Sequence, residues 1–465
     1  MDGFGDVTIT AQVAETMARL RATFKSGKTR PLAWRREQLL ALKAGVAAHE
    51  ADIVEALRKD LGKPRMEAIM AEVDYLTKEA GMAVKHMAKW VKPKSVGSPL
   101  TTLPARSRIQ PEPLGVALII GAWNYPIQEV FGPLIGAIAA GNCAVLKPSE
   151  GAPHASEVLR QIVEESLDPD AFATVLGGVE ETTALLDQRF DKIFFTGGSS
   201  IGRIVMTAAA KHLTPVTLEL GGKSPGIVAA DADLEVTAKR LVWAAFLNGG
   251  QLCVRPDYCL VEESIYEKFL GLLKTTAENF YGENMKDSPD FARIVHERHF
   301  DRLAKKIEGA EVLIGGETDR ENLYIAPTIL RDVAPDAPAM QEEIFGPILP
   351  VIKVADMDEA IAFINERDKP LAVYAFTGSN ATGERFVNET SSGTIMVNDA
   401  VLFQLNHHLP FGGVGESGMG GFHGKHTFDA FSHMKSVMKR GFFADSALRY
   451  PPYTEKALEM TRKFS

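Results

Sequence analysis

The feature that most restricts this chain is an alternation of short apolar runs with amphipathic segments between positions 115 and 220. The runs 115–121, 143–147, 173–176, 192–196 and 216–220 are too short for helices, and they lack the polar alternation of a half-exposed strand. Between them, 128–140, 155–165, 180–186 and 201–211 carry helical spacing. Repeated strand–helix units predict a parallel, doubly wound sheet with helices on both faces. Ligands of such sheets bind beyond the carboxyl ends of the strands. A second alternating region is predicted from Gly226 to about Asn398, with strands at 226–228, 258–261, 348–354 and 372–376.

The first 92 residues read as helical. Leu39, Leu42, Val46, Ile53 and Leu57 form one apolar helix face, Gly62-Lys63-Pro64 is a stop signal, and a helix is predicted from Met66 to about Trp90. Residues 91–113, with five prolines, read as an extended connector or edge ribbon. The 465 residues predict about three domains. A net charge of −9 supplies no broad cationic field, which excludes a general nucleic-acid binder. Three cysteines make a poor disulfide framework and point to a reducing compartment. No zinc-ligand spacing is present, so no metal is expected. The start Met1-Asp2-Gly3-Phe4 lacks a basic and then apolar leader. The longest apolar runs fall short of the ~18 residues of a membrane span. A cytoplasmic protein without a membrane span is therefore expected.

Five short segments carry chemistry. In Phe194-Phe195-Thr196-Gly197-Gly198-Ser199-Ser200-Ile201-Gly202 a strand enters a glycine turn that opens a helix. Such a turn brings backbone close to a pyrophosphate and aims helix N–H groups at it, although a plain strand-to-helix turn has the same residues. Lys147 and Glu150 follow another strand; they read either as ribose contacts or as a solvated loop. A carboxylate there repels a 2′-phosphate, favouring NAD over NADP. Cys253, behind Asn248-Gly249-Gly250-Gln251-Leu252, has the small neighbours an accessible nucleophile needs, against the commoner fate of a buried cysteine. Cys143 and Cys259 sit in apolar strand patterns and read as structural. Glu219, in an apolar strand before Gly221-Gly222, is either a general base or the partner of Lys223. Asn124, in Trp123-Asn124-Tyr125-Pro126, is either a donor to a developing oxyanion or a turn residue.

Taken with Leu218-Glu219-Leu220-Gly221-Gly222-Lys223-Ser224-Pro225, Glu342-Glu343-Ile344-Phe345-Gly346-Pro347 and Leu409-Pro410-Phe411-Gly412-Gly413-Val414-Gly415, these segments stand in an order that resembles the aldehyde dehydrogenase superfamily. The likeness covers residues from about 30 to 440 and is nearest to the class 3 branch, which acts on medium- and long-chain or aromatic aldehydes. The resemblance implies an α/β fold with a Rossmann-type cofactor domain (1–93 and 110–220), an α/β catalytic domain (221–397), a small β oligomerisation arm (94–109 and 398–440) and a tail (441–465). It implies Cys253 as nucleophile, Glu219 as the base that activates water, and Asn124 as oxyanion donor. It places Lys147, Glu150, Gly197, Gly198, Ser199, Gly202, Leu220, Glu343 and Phe345 on the cofactor, NAD with NADP admissible, and Tyr125 and Phe411 on the substrate. A homodimer is implied. Gly198 and Arg255 depart from common family residues; Gly198 leaves only backbone for phosphate contact, and Arg255 bears on substrate charge. The tail 448–453 is similar to that of fatty-aldehyde relatives with a membrane anchor, which this sequence does not show before Ser465. Alternatives are CoA in place of water as acyl acceptor, a nucleotide-free cysteine hydrolase pairing Cys253 with His407 or His408, and a non-enzymatic structural role.

Overall fold

Burial on both faces turns the apolar runs into strands. Val116–Ile120, Cys143–Lys147 and Lys192–Thr196 are buried at every position. The structure is a computed structural model that describes residues 3–282, 284–443 and 445–464; Met1, Asp2 and Ser465, at the ends of the predicted cofactor domain and tail, lie outside the described residues.

A six-stranded sheet has the order Gly418–Met419, Val216–Glu219, Lys192–Thr196, Val116–Ile120, Cys143–Lys147, Phe172–Thr174. Its strands are parallel except Gly418–Met419, which runs antiparallel to Val216–Glu219. The chain starts in the middle at Val116–Ile120, winds one way through Cys143–Lys147, and then crosses to Lys192–Thr196. The switch point between these directions opens a crevice at the carboxyl ends of the strands. Gln128–Ala140, apolar all round, is buried along its whole length behind the sheet. A seven-stranded sheet has the order Val312–Ile314, Thr328–Leu330, Ile348–Val354, Tyr258–Glu262, Pro225–Val228, Ala372–Phe376, Thr394–Val397, antiparallel only at the Val312–Ile314 edge. The predicted alternation is thus present in both regions.

The helical start differs from its sequence reading in two places. The face running from Leu39 to Leu57 is carried by two helices, Leu32–Ala48 and Glu50–Leu61, because the chain leaves helical geometry at His49. His49 donates to Gly45 O and accepts from Ile53 N, so the apolar residues stay on the core side of both helices. The stretch from Met66 to Trp90 contains a π-helical turn, Ile69–Asp74, ahead of Tyr75–Trp90.

The proline-rich segment forms the edge ribbon expected of it. Lys94–Val96, Arg106–Pro113 and Ser432–Lys439 build a mostly exposed antiparallel sheet, paired from Arg106 with Lys439 to Pro113 with Ser432. The strand Arg106–Pro113 crosses the expected boundary at 109/110. Between 401 and 431, within the segment expected as part of the arm, Phe403, Phe411, Phe422, Phe428 and Phe431 are buried in the main core. Among the described residues no helix is long and apolar enough to cross a membrane.

Candidate active site

The crevice at the switch point is a cavity of about 460 Å³ lined by Asn124, Glu129, Thr196, Gly197, Gly198, Ser199, Glu219, Leu220, Cys253, Glu343, Phe345 and Phe411, with Trp123, His299 and Arg302. Strand ends from the first sheet supply one wall and loops from the second region supply the other.

The nucleotide lip follows Lys192–Thr196. Helix Ser199–Ala210 begins at Gly198 with no side-chain cap, so its first N–H groups face the cleft without a side-chain acceptor. A Cβ at Gly198 would meet nothing within 4 Å, which leaves the lip open to a bulky anion. This is the arrangement a dinucleotide pyrophosphate needs, and the residues fit that cofactor. Gly202 is buried and works differently: a Cβ there would lie 2.8 Å from Leu220 Cδ2, so its role is to let the helix close on the strand. One strand further, Lys147 is buried and donates to Pro148 O at 2.9 Å, with the exposed Glu150 carboxylate 3.7 Å from its amine.

The nucleophile loop is shaped by its glycines. Asn248 and Gly249 take left-handed conformations, and Gly250 at φ +70° passes so near the loop 342–347 that a Cβ would lie 2.2 Å from Gly346 O. Cys253 follows, partly exposed in the cleft, while Cys143 and Cys259 are buried. The Asn124 amide donates to Gln251 O at 3.1 Å, tying the oxyanion donor to the nucleophile loop. Its own carbonyl accepts from Lys63 Nζ at 2.8 Å and Asn248 Nδ2 at 3.1 Å. Lys63 is fully buried against Glu72 at 2.8 Å, and the second Glu72 oxygen accepts the Ile127 and Gln128 N–H groups at the start of the central helix. A buried ion pair therefore anchors the segment that presents Asn124.

Carboxyl groups dominate the field. Glu219 is 3% exposed, and neither of its oxygens has a hydrogen-bond partner among the described residues. Burial, then the charge of Glu129, raises its pKa well above the carboxylate range. The Lys223 alternative is excluded, because Lys223 pairs with Asp257 at 2.5 Å. Glu343 lies over Gly221, where a Cβ would be 2.0 Å from its Oε2, and burial pushes it up to about 8. The Cys253 thiol is raised by burial and then by Glu129, Glu343 and Glu219, so it rests protonated. The loop of Glu343 and Phe345 is held by Arg302, which donates to Glu343 O at 3.1 Å and to Ile344 O. His299 donates through Nε2 to Phe345 O at 2.7 Å; burial beside Arg302 lowers it to about 3, keeping it neutral.

Tyr125 faces away from this cleft. With Leu252, Trp243, Leu247, Met66, Met70 and Leu405 it lines a second, mainly apolar cavity of about 320 Å³. Leu252 and Tyr125 are the chain neighbours of Cys253 and Asn124, so the second cavity borders the loops that carry these two residues. Phe411 is in the first cavity, stacked on Phe403 at 5.9 Å. Arg255 meets neither: it is 1% exposed, paired with Asp257 at 3.3 Å and donating to Ile348 O at 2.7 Å, so it holds a loop and does not meet substrate. His407 is paired with Glu79 at 2.5 Å, and neither it nor His408 lines the thiol cleft, so neither histidine named for a cysteine hydrolase stands there. Sequence reasoning missed Glu129, His299, Lys63 and Glu72. Glu129 had a visible sign, a carboxylate in the first turn of an otherwise apolar helix.

The aldehyde dehydrogenase family model matches residues 7–437. Aldehyde dehydrogenase family 3 member H1 of Arabidopsis thaliana is 50% identical over 97% of this chain and 94% of its own length. The dog (Canis lupus familiaris) protein named aldehyde dehydrogenase, dimeric NADP-preferring, is 45% identical over 97% of this chain and 100% of its own. The solved substrate-bound state of Staphylococcus aureus AldH superposes with a TM-score of 0.95 at 42% identity, covering 97% of this chain and 99% of that one.

Proposed function

The chain belongs to the aldehyde dehydrogenase family, and from that premise we propose that its cleft oxidises an aldehyde to the carboxylic acid, with NAD or NADP as hydride acceptor. The observation that carries the reading is one cavity holding a partly exposed thiol, a hydrogen-bond-orphaned carboxyl and a buried amide beside an uncapped helix start. Backbone at Gly197, Gly198 and Ser199 would hold the pyrophosphate, Lys147 and Glu150 one ribose, Glu343 and Phe345 the other, and Leu220 would also line the cofactor. When bound, the cofactor supplies a hydride acceptor next to the thiol.

The residues divide the chemistry. Cys253 sulfur bonds to the aldehyde carbon, and the new oxyanion takes the Asn124 amide and the Cys253 backbone N–H. Each such donor is worth roughly 3–4 kcal/mol of barrier, or about 10²–10³ in rate. Loss of hydride leaves a thioester on Cys253. Glu219 then draws a proton from water, and the thioester is hydrolysed. Orphaned oxygens on Glu219 favour water over CoA as acyl acceptor, since a water molecule is the small donor that satisfies them. The apolar cavity at Tyr125 and Leu252 suits medium- or long-chain aliphatic and aromatic aldehydes. Glu150 favours NAD, and the NADP preference named for the dog relative makes both cofactors worth measuring.

The exposed arm sheet, with a free edge along Ser432–Lys439, fits a homodimer, and a cytoplasmic site follows from the reduced cysteines. The division into cofactor, catalytic and arm units is proposed along the two large sheets and the ribbon. The test is NADH or NADPH formation across short aliphatic, long aliphatic and aromatic aldehydes. Turnover is expected with long-chain or aromatic substrates and lost in Cys253→Ala. Turnover retained in that variant would remove Cys253 as nucleophile.

A further inference from the structure

Glu129 has no part in the scheme above, yet it lines the same cavity as Cys253 and Glu219. It sits in the first turn of the helix Gln128–Ala140 and is 9% exposed. After burial, its charge is the largest influence on both Cys253 and Glu219, the group that must lose a proton first and the group that must accept one later. Thr196 lines the same cavity and its hydroxyl acts on the Glu129 carboxyl, while both Glu219 oxygens are without a hydrogen-bond partner among the described residues. The two Glu219 oxygens beside a buried carboxyl, in a cavity with room for water, are acceptor sites that a water could bridge.

Resting on the proposed aldehyde oxidation, we propose that Glu129 is a proton-holding residue of this enzyme: it takes the Cys253 proton as the sulfur attacks and releases it to solvent, leaving Glu219 for the water step. The protons balance. The S–H bond breaks as an O–H bond forms on Glu129, and the sulfur bonds to the aldehyde carbon. After hydride leaves, water gives one proton to Glu219 and its oxygen to the acyl carbon. The C–S bond breaks, Glu219 returns its proton to the thiolate, and the product acid and Glu129 each release one proton. One aldehyde, one water and one oxidised cofactor thus yield the carboxylate, the reduced cofactor and two protons.

The surroundings tune Glu129 for this. Burial and the nearby Glu72 carboxylate raise it to about 7, against Thr196 and Lys63, which favour its charged form. Tyr75 and Tyr125, packed on the same side, stay neutral through burial, and Lys192 acts on Glu219 from the sheet. Glu129 raises Glu219 only when it is charged, so while Glu129 holds the Cys253 proton Glu219 is freer to ionise for the water step.

The test compares Glu129→Gln, Glu129→Asp and Thr196→Val in two assays: the pH dependence of iodoacetamide alkylation at Cys253 in cofactor-free enzyme, and the pH profile of kcat/KM. In Glu129→Gln the alkylation midpoint is expected to move to lower pH, since a like charge is gone. At the same time kcat/KM should fall roughly 10²-fold and lose its limb near neutral pH. Glu129→Asp should keep the limb, and Thr196→Val should move it to higher pH. An unmoved alkylation midpoint, or a limb that persists in Glu129→Gln, would overturn the assignment; if Glu129→Gln does not fold, an unmoved limb in Thr196→Val does the same. Cys253→Ala, run alongside, separates the cases: activity there defeats the aldehyde-oxidation reading itself, whereas its loss with a normal Glu129→Gln profile defeats only the role of Glu129.

Discussion

Cys253, the nucleophile of the proposed reaction, has surroundings that keep its thiol protonated. Three carboxyls face it, and each is held above its ordinary range by burial. Such groups have a consequence for stability. A carboxyl raised from about 4.5 to about 7 on folding binds its proton more tightly in the native state. Its favourable contribution is complete below the unfolded value and is lost as pH rises through the folded one. Glu129→Gln should therefore stabilise the protein at pH 8 relative to pH 5, by up to about 3 kcal/mol. Urea midpoints at the two pH values check this; an equal effect at both would contradict it. At this scale the sequence showed Cys253, Glu219 and Asn124, because a thiol among glycines, a carboxylate in an apolar strand and an amide at a strand end each conflict with their local setting. Glu129 carries the same conflict more quietly, and His299 carries none: its place in the cleft comes from a helix that docks 46 residues before its partner Phe345.

At the level of elements, the strand ends are the machinery. The limits of Cys143–Lys147 and Lys192–Thr196 were legible because full burial makes a strand a nearly continuous apolar run, and those of Ile348–Val354 because only Lys353 in it is exposed. The break at His49 and the π-turn at Ile69–Asp74 were not, since the apolar face continues across both. That π-turn puts Glu72 against Lys63 and the start of the central helix, which no local pattern encodes. Lys63 read as part of a stop signal, yet it holds the Asn124 carbonyl. Removing it leaves Glu72 buried and unpaired. Lys63→Met should cost about 3–5 kcal/mol of stability. It should also lower kcat more than it raises KM, because the oxyanion donor loosens. Chemical unfolding with steady-state kinetics decides this; a variant of native stability and kcat would show that the pair is dispensable.

For the molecule as a whole, the proposed reaction uses two cavities: the polar one that holds the thiol, assigned to the dinucleotide, and the apolar one at Leu252 and Tyr125, assigned to the carbon chain. Keeping the two ligands apart lets each site be built from residues of one character. Trp243 lies in the apolar cavity alone. Trp243→Ala should raise KM for long-chain aldehydes about tenfold while leaving the shortest substrates and the cofactor KM little changed; an equal effect on all three would place the substrate path elsewhere. The family's two-sheet plan was legible from the order of its motifs, whereas the packing of 401–431 into the core was not, because its phenylalanines are spaced without helical or strand period.

The central claim is that an acyl group passes through the sulfur of residue 253. Its most direct measurement is mass spectrometry of Glu219→Gln quenched after mixing with aldehyde and oxidised cofactor. Hydride loss should proceed while hydrolysis stalls, so the peptide carrying Cys253 should gain the mass of one acyl group, with an equal amount of reduced cofactor formed. Reduced cofactor with no acyl adduct on that peptide would contradict the account.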